Sequence, residues 1–273
     1  MVFAEHRVTL KSAAQIERMA RAGRVVADVL DRLATEVRPG VTTLSLDAIA
    51  HEMISAAGAI PSFIGVPGLR APYRHATCVS IDDEVVHGIP SARRTISDGS
   101  LVSVDVGAIV DGWHGDGART FIVGTVPQPV QALVAATRQA MLAGIAAAVP
   151  GNHIGDISIA VEDVAIANGL GVVRPFVGHG IGTEMHEAPQ VPNYRLASRG
   201  RRLEPGLCLA IEPMFTLGQH HVRVADDGWT VRTVDGGLAA HFEHSIVVTD
   251  AGPRILTTNE PAAVAARSAA SAS

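Results

Sequence analysis

The chain has 273 residues, 47% of them hydrophobic, enough for one large domain or two fused halves. Its formal charge of −5 argues against a nucleic-acid binder, and two cysteines, Cys78 and Cys208, supply neither a disulfide framework nor a thiolate metal cluster. The N-terminal stretch lacks the apolar core of a signal peptide, and the longest uncharged segment, Thr120 to Thr137, is interrupted by Pro127 and Pro129. The expectation is a cytoplasmic protein that engages neither DNA nor membrane.

Ser12 is a plausible N-cap for a helix carrying Ile16, Met19, Val26, Val29, Leu30 and Leu33 at helical spacing and ending before Pro39-Gly40. Leu44 to Ala57 reads as a second helix closed by Gly58. Strands are predicted over His75 to Ile81 and Leu101 to Val123, the latter folded back at Asp111-Gly112. The same grammar then returns. Leu133 to Val149 is helical up to Pro150-Gly151, Ile154 to Asn168 is helical up to Gly169, and strands follow over Leu207 to Phe215 and Trp229 to Thr249. The two Pro-Gly pairs stand at the same interval as Gly58 and Gly169, which argues for two equivalent halves. Two αα-then-β halves give an α+β fold with helices on one side of a shared sheet, and a concave face left for a site. Residues 1–10 read as an extension, 11–260 as a single domain with halves near 11–125 and 126–260, and 261–273 as an Ala/Ser-rich tail in which a helix end gives way to disorder.

Along the first half's hairpin, Val102, Val104 and Val106 face one way, so Asp105 turns a carboxylate out of an apolar strand. Asp116 and His114 share a face of the returning strand, with Asp116 close enough to Asp105 to repel it unless a proton or cation lies between. The second half adds His179 in a glycine-rich turn, Glu212 at the end of a strand broken by Pro213, and Glu243 leading an apolar strand. Each alone has a structural reading; together, four carboxylates and an imidazole are costly to bury without metal. Hard oxygen donors and no thiolate suit Mn, Fe, Co or a catalytic Zn pair, and shared carboxylates would allow two ions.

The ordered set Glu84-Val-Val-His87-Gly-Ile-Pro, Val104-Asp105-Val, His114-Gly-Asp116, Gly178-His179-Gly-Ile-Gly, Met185-His186-Glu, Ile211-Glu212-Pro-Met and Phe242-Glu243-His244-Ser-Ile resembles the type I methionine aminopeptidases, from about Lys11 to Glu260. The resemblance implies the pita-bread fold, with halves related by a pseudo-two-fold and helices packed on an antiparallel sheet. It implies two divalent metals: Asp116 and Glu243 bridging, Asp105 on one ion, His179 and Glu212 on the other. The implied catalytic residues are Glu212, which relays the proton of the attacking water, His186, which donates to the carbonyl oxygen, and His87, which bonds the scissile amide. His114 is expected to be structural. The implied methionine pocket is Cys78, Phe176, Met185 and Trp229. The segment from Ser62 to Cys78 departs from the family's shorter path, which leaves Tyr73, His75 and the pocket rim open. The implied substrate is the N-terminal Met of nascent polypeptides with a small second residue, handled by a monomer. The basic run Arg195, Arg199, Arg201 and Arg202 reads as a solvated loop or as a weak ribosome contact. A proline-specific relative and a non-catalytic one are the alternatives.

Overall fold

The computed structural model describes residues 8–260, so the tail from Pro261 and most of the N-terminal extension lie outside the described residues. The first half runs α1 (Ala13–Glu36), α2 (Thr43–Ala56), β1 (Ile60–Pro61), β2 (Thr77–Ile81), β3 (Glu84–Val86), β4 (Leu101–Val110) and β5 (Trp113–Ile122). The second runs α3 (Gln128–Ala147), α4 (Ile154–Ala167), β6 (Gly171–Val172), β7 (Gly178–Gly180), β8 (Glu187–Val191), β9 (Cys208–Ile211), β10 (Met214–Thr216), β11 (Val222–Val224), β12 (Val231–Thr233), β13 (Ala239–His241), β14 (Glu243–Thr249) and β15 (Gly252–Ile255).

The helices begin where local chemistry directs. The Gln15 side chain accepts from the Ser12 amide ahead of α1, and the Thr42 hydroxyl accepts from the Ser45 amide ahead of α2. α3 starts earlier than Leu133, because Pro129 sits in its first turn, where a missing N–H costs nothing. The two prolines thus open a helix where a break was expected. By length and composition alone α3 could cross a membrane, but Leu133, Ala140, Met141 and Ile145 bury its inner face in the core of the second half.

β1, β4, β5, β14, β9, β7 and β8 follow one another across a nine-stranded sheet, with β2 on β4 and β15 on β14. The halves join where β5 pairs antiparallel with β14. The Ser245 hydroxyl locks that seam, accepting from the Asp116 amide at 3.0 Å and donating to the Asp116 carbonyl at 2.8 Å. α1 and α2 cover β4 through one apolar cluster, and α3 and α4 cover β9 and β14 through another. α1 lies unusually close to β5. A Cβ on Gly115 would meet the Gly23 nitrogen at 2.6 Å, so only a bare backbone allows that approach.

The repeat seen in the sequence has a backbone counterpart. Gly40 and Gly151 have φ of +86° and +92°, Gly58 and Gly169 +69° and +64°, and the caps Thr42 and His153 each make an isolated antiparallel bridge, to Thr95 and Arg202. The single shared sheet is a simplification, however. The chain beyond β9 breaks at Pro213, Gly228 and Gly236-Gly237, and its pieces join two earlier strands, β6 and β3, in two small sheets, β13-β10-β6 and β11-β12-β3. These pack against the large sheet, β13 on β4 and β5 and β3 on β4. They narrow the concave face to a cavity.

Candidate metal centre and substrate cavity

Five neighbouring strands deliver the expected ligands to one place. Asp111 and Gly112, both at positive φ, make the two-residue turn that sets the β4–β5 register, pairing Asp105 with Ala118 and Gly107 with Asp116. The two aspartates are therefore diagonal neighbours on one face. Glu243 pairs with Ala118 from β14, which puts its carboxylate on the same face. Glu212 follows the last residue of β9, and His179, on β7, pairs with Ala210. The His179 Nδ1–H donates to the Gly180 carbonyl at 2.9 Å, which fixes the tautomer and leaves Nε2 as a lone pair 3.4 Å from Glu212 Oε1.

Asp105 Oδ1, Asp116 Oδ1 and Glu243 Oε1 are buried without hydrogen-bond partners. Burial, followed by mutual repulsion, pushes Asp116 and Glu243 well above the usual carboxylate range. Burial and the charge of Asp105 do the same to Glu212, and burial raises Asp105 to about 7. A cluster so expensive to ionise is one that a divalent cation relieves. Asp116, His179 and Glu243 each offer a ligand atom within 4.8 Å of the others, and so do Glu212, His241 and Glu243. Hard oxygens with imidazole and no thiolate fit the metals the sequence suggested.

The remaining predicted residues line the same cavity. Cys78, opposite Asp105 on β2, and Met185 and Trp229 form its apolar wall, and His87 and His186 flank it. His87 follows β3 at φ +61°, a strained backbone for a residue with a side chain and the kind of strain that gathers at functional sites. Burial holds His87 and His186 down at about 4, so both are neutral near pH 7. The ring of His186 stands 4.4 Å from that of His179.

Phe176 is the exception. It does not line this cavity; its ring meets His87 edge-on at 5.5 Å and opens onto an adjoining cavity that shares His87, His186 and Glu212. The place expected for it is taken by Phe63, Val66 and Tyr73, from the segment the sequence left open. Tyr73 packs edge-on against Trp229 at 4.9 Å and spends its hydroxyl on the Thr77 and Gly88 carbonyls, so it presents ring and not polarity. An aromatic between two glycine- and proline-bearing turns was the available signal. His75 pairs instead with Asp47 of α2 at 2.9 Å. His114 binds the Ser62 hydroxyl at 3.0 Å. His241, buried beside Glu212, was overlooked because its neighbours on either side read as strand core.

Residues 17–250 match the family model for metallopeptidase family M24. The chain is 47% identical over 256 residues to methionine aminopeptidase 1 of Mycobacterium tuberculosis, covering 92% of this chain and 95% of that one. It is 44% identical over 253 residues to a Clostridium acetobutylicum methionine aminopeptidase, covering 93% of this chain and all of that one. The crystal structure of Thermotoga maritima methionine aminopeptidase superposes with a TM-score of 0.89 at 40% identity, covering 93% of this chain and 100% of that one. The pita-bread fold and a divalent-metal hydrolase are thus what the fold and the cavity define. The chain belongs to metallopeptidase family M24.

Proposed function

We propose that the chain removes the N-terminal methionine of nascent proteins and peptides, using two divalent ions held by Asp105, Asp116, His179, Glu212 and Glu243. The supporting observation is the set of unpartnered carboxylate oxygens, drawn from both halves, facing a cavity whose other wall is Phe63, Tyr73, Cys78, Met185 and Trp229. The names of the relatives above point the same way. The ions would supply an acidified water and polarise the scissile carbonyl. Glu212, whose carboxylate faces the cavity between His179 and His241, accepts the proton of the attacking water. His186, neutral, donates to the carbonyl oxygen as charge develops, and His87 bonds the scissile amide and holds it in line. The apolar wall receives the methionine side chain, for which a soft thioether such as Met185 is a suitable neighbour.

Mn, Fe, Co or Zn as the ion, a small second residue, a monomeric state and a cytoplasmic location belong to the same proposal. A weak ribosome contact through the basic run belongs to it too; Arg195 pairs with Glu162 and Asp163, Arg199 with Asp156 and Arg201 with Glu204, which leaves Arg202 as the arginine of the run without a carboxylate partner among the described residues.

The test is release of methionine from Met-Ala-Ser against Leu-Ala-Ser and Met-Pro-Ser, with chelated protein given Mn, Fe, Co or Zn singly. Rapid cleavage of Met-Ala-Ser alone, and only with metal, is the expected result. Activity surviving complete metal removal would end the proposal, and preference for proline in second place would transfer it to a proline-specific enzyme.

A further inference from the structure

His241 stands at the ligand cluster though the sequence did not put it there, an imidazole nitrogen of it lying within 4.8 Å of ligand atoms of Glu212 and Glu243. It closes β13, opposite Met214 of β10, so it reaches the site from one of the small sheets and not from the large one. Its backbone is held at both ends by a single hydroxyl: its amide donates to Thr120 Oγ1 at 2.9 Å, and its carbonyl accepts from that oxygen at 2.8 Å. Thr120 is itself braced against the Ser103 hydroxyl at 2.8 Å. The imidazole is therefore rigidly placed, and it is 2% exposed.

Its Nε2 is buried with no hydrogen-bond partner, and Glu212 Oε2 lies 3.7 Å away. The other oxygen of that carboxylate faces His179. Glu212 is thus bracketed by two imidazoles, one to each oxygen, while its main-chain carbonyl is taken by the Asn193 amide at 3.0 Å. The two imidazoles are not equivalent. A carbonyl fixes the proton of His179 on Nδ1 and frees Nε2 for a metal, but among the described residues no carbonyl or carboxylate accepts from the Nδ1 of His241. Nothing therefore keeps a proton away from its Nε2, and a protonated Nε2 is a donor, not a ligand.

We propose that His241 is a positioning residue for Glu212. Its Nε2–H faces Oε2 across 3.7 Å, a gap that a small turn of the carboxylate closes to a hydrogen bond; Oε1 is thereby kept toward His179 and the ion, and Oε2 is held for the proton it accepts. The inference rests on the role given to Glu212 above.

Full-length His241→Leu, His241→Gln and His241→Asn separate the possibilities. The readouts are Mn(II) titration of chelated protein by calorimetry, the visible spectrum of the Co(II)-loaded form, and kcat and KM for Met-Ala-Ser. The Leu variant should bind the ion at Glu212 about tenfold or more weakly, change the Co(II) spectrum, and lower kcat with KM little altered. The Gln amide can reach the same oxygen and should restore affinity and spectrum to within about threefold, whereas the shorter Asn should not. Should the Leu variant fail to fold, the Gln and Asn pair still decides. Wild-type affinity and spectrum in the Leu and Asn variants would overturn the inference. So would a Gln variant as impaired as Leu, since the imidazole would then itself coordinate the ion. A wild-type chain that binds no ion or releases no methionine would instead sink the underlying functional reading.

Discussion

Lys11 is the sole lysine of the chain, and it is buried where the N-terminal segment crosses the loop that carries His186. Its Nζ donates to Glu187 Oε2 at 2.5 Å and to Thr9 Oγ1 at 2.9 Å, while Glu187 Oε1 accepts from the amides of Thr183 and Glu184 at 2.9 and 3.3 Å. One ion pair thus organises the turn before Met185 and His186. In Lys11→Met the stem survives but Glu187 keeps its charge without a cation. Stranding a fully buried charge costs about 3–5 kcal/mol; the two amides and the Thr9 hydroxyl left on Glu187, and its 12% exposure, bring the expectation to about 2–3 kcal/mol. For a chain of this length that is a fall in melting temperature of about 5–10 °C. Because the loosened loop bears Met185 and His186, kcat/KM for Met-Ala-Ser should also drop about tenfold. The double variant Lys11→Met/Glu187→Gln removes the stranded charge, and its amide oxygen can still accept from Thr183, so most of the stability should return. Calorimetry on metal-loaded protein reads the first quantity and peptide release the second. A single variant melting within about 1 °C of the parent, or a double variant no better than the single, would refute the reasoning.

Metal removal should interact with pH. Burial raises Asp105 to about 7 and lifts its three carboxylate neighbours, whereas the same groups titrate at about 4 in the unfolded chain. Between those values the metal-free fold holds protons that the unfolded chain has lost, so its stability falls as pH rises through the window. Ions that replace the protons remove that slope; the melting gap between loaded and metal-free protein should widen from pH 6 to pH 8, and a constant gap would contradict the assignment. Gly115→Ala would press a methyl into the backbone of α1 at Gly23 and should cost about 2–3 kcal/mol in denaturant titration. His186→Ala should lower kcat about 100-fold or more while metal content, measured by mass spectrometry, stays unchanged; lost metal would mean that His186 is a ligand.

How far the sequence alone reached depends on the range of the interaction concerned. The caps at Ser12 and Thr42, the Asp111-Gly112 turn and the alternation around Asp105 are decided within a few residues, so helices, hairpin and the outward carboxylates were legible directly. The glycines at Gly40, Gly58, Gly151 and Gly169 exposed the repeat because only they tolerate those turns cheaply. The candidate metal ligands were readable as a group because charged groups in apolar strands need an explanation wherever they occur. Tertiary structure alone decided which side chains share a wall. Phe176 fell on the far side of His87, Tyr73 and Phe63 took its place, and His241 arrived beside Glu212 on a strand from another sheet. Those meetings depend on how β13 crosses β4 and β5 and how the loop before β2 settles on Trp229, contacts between distant stretches of chain that no local period encodes.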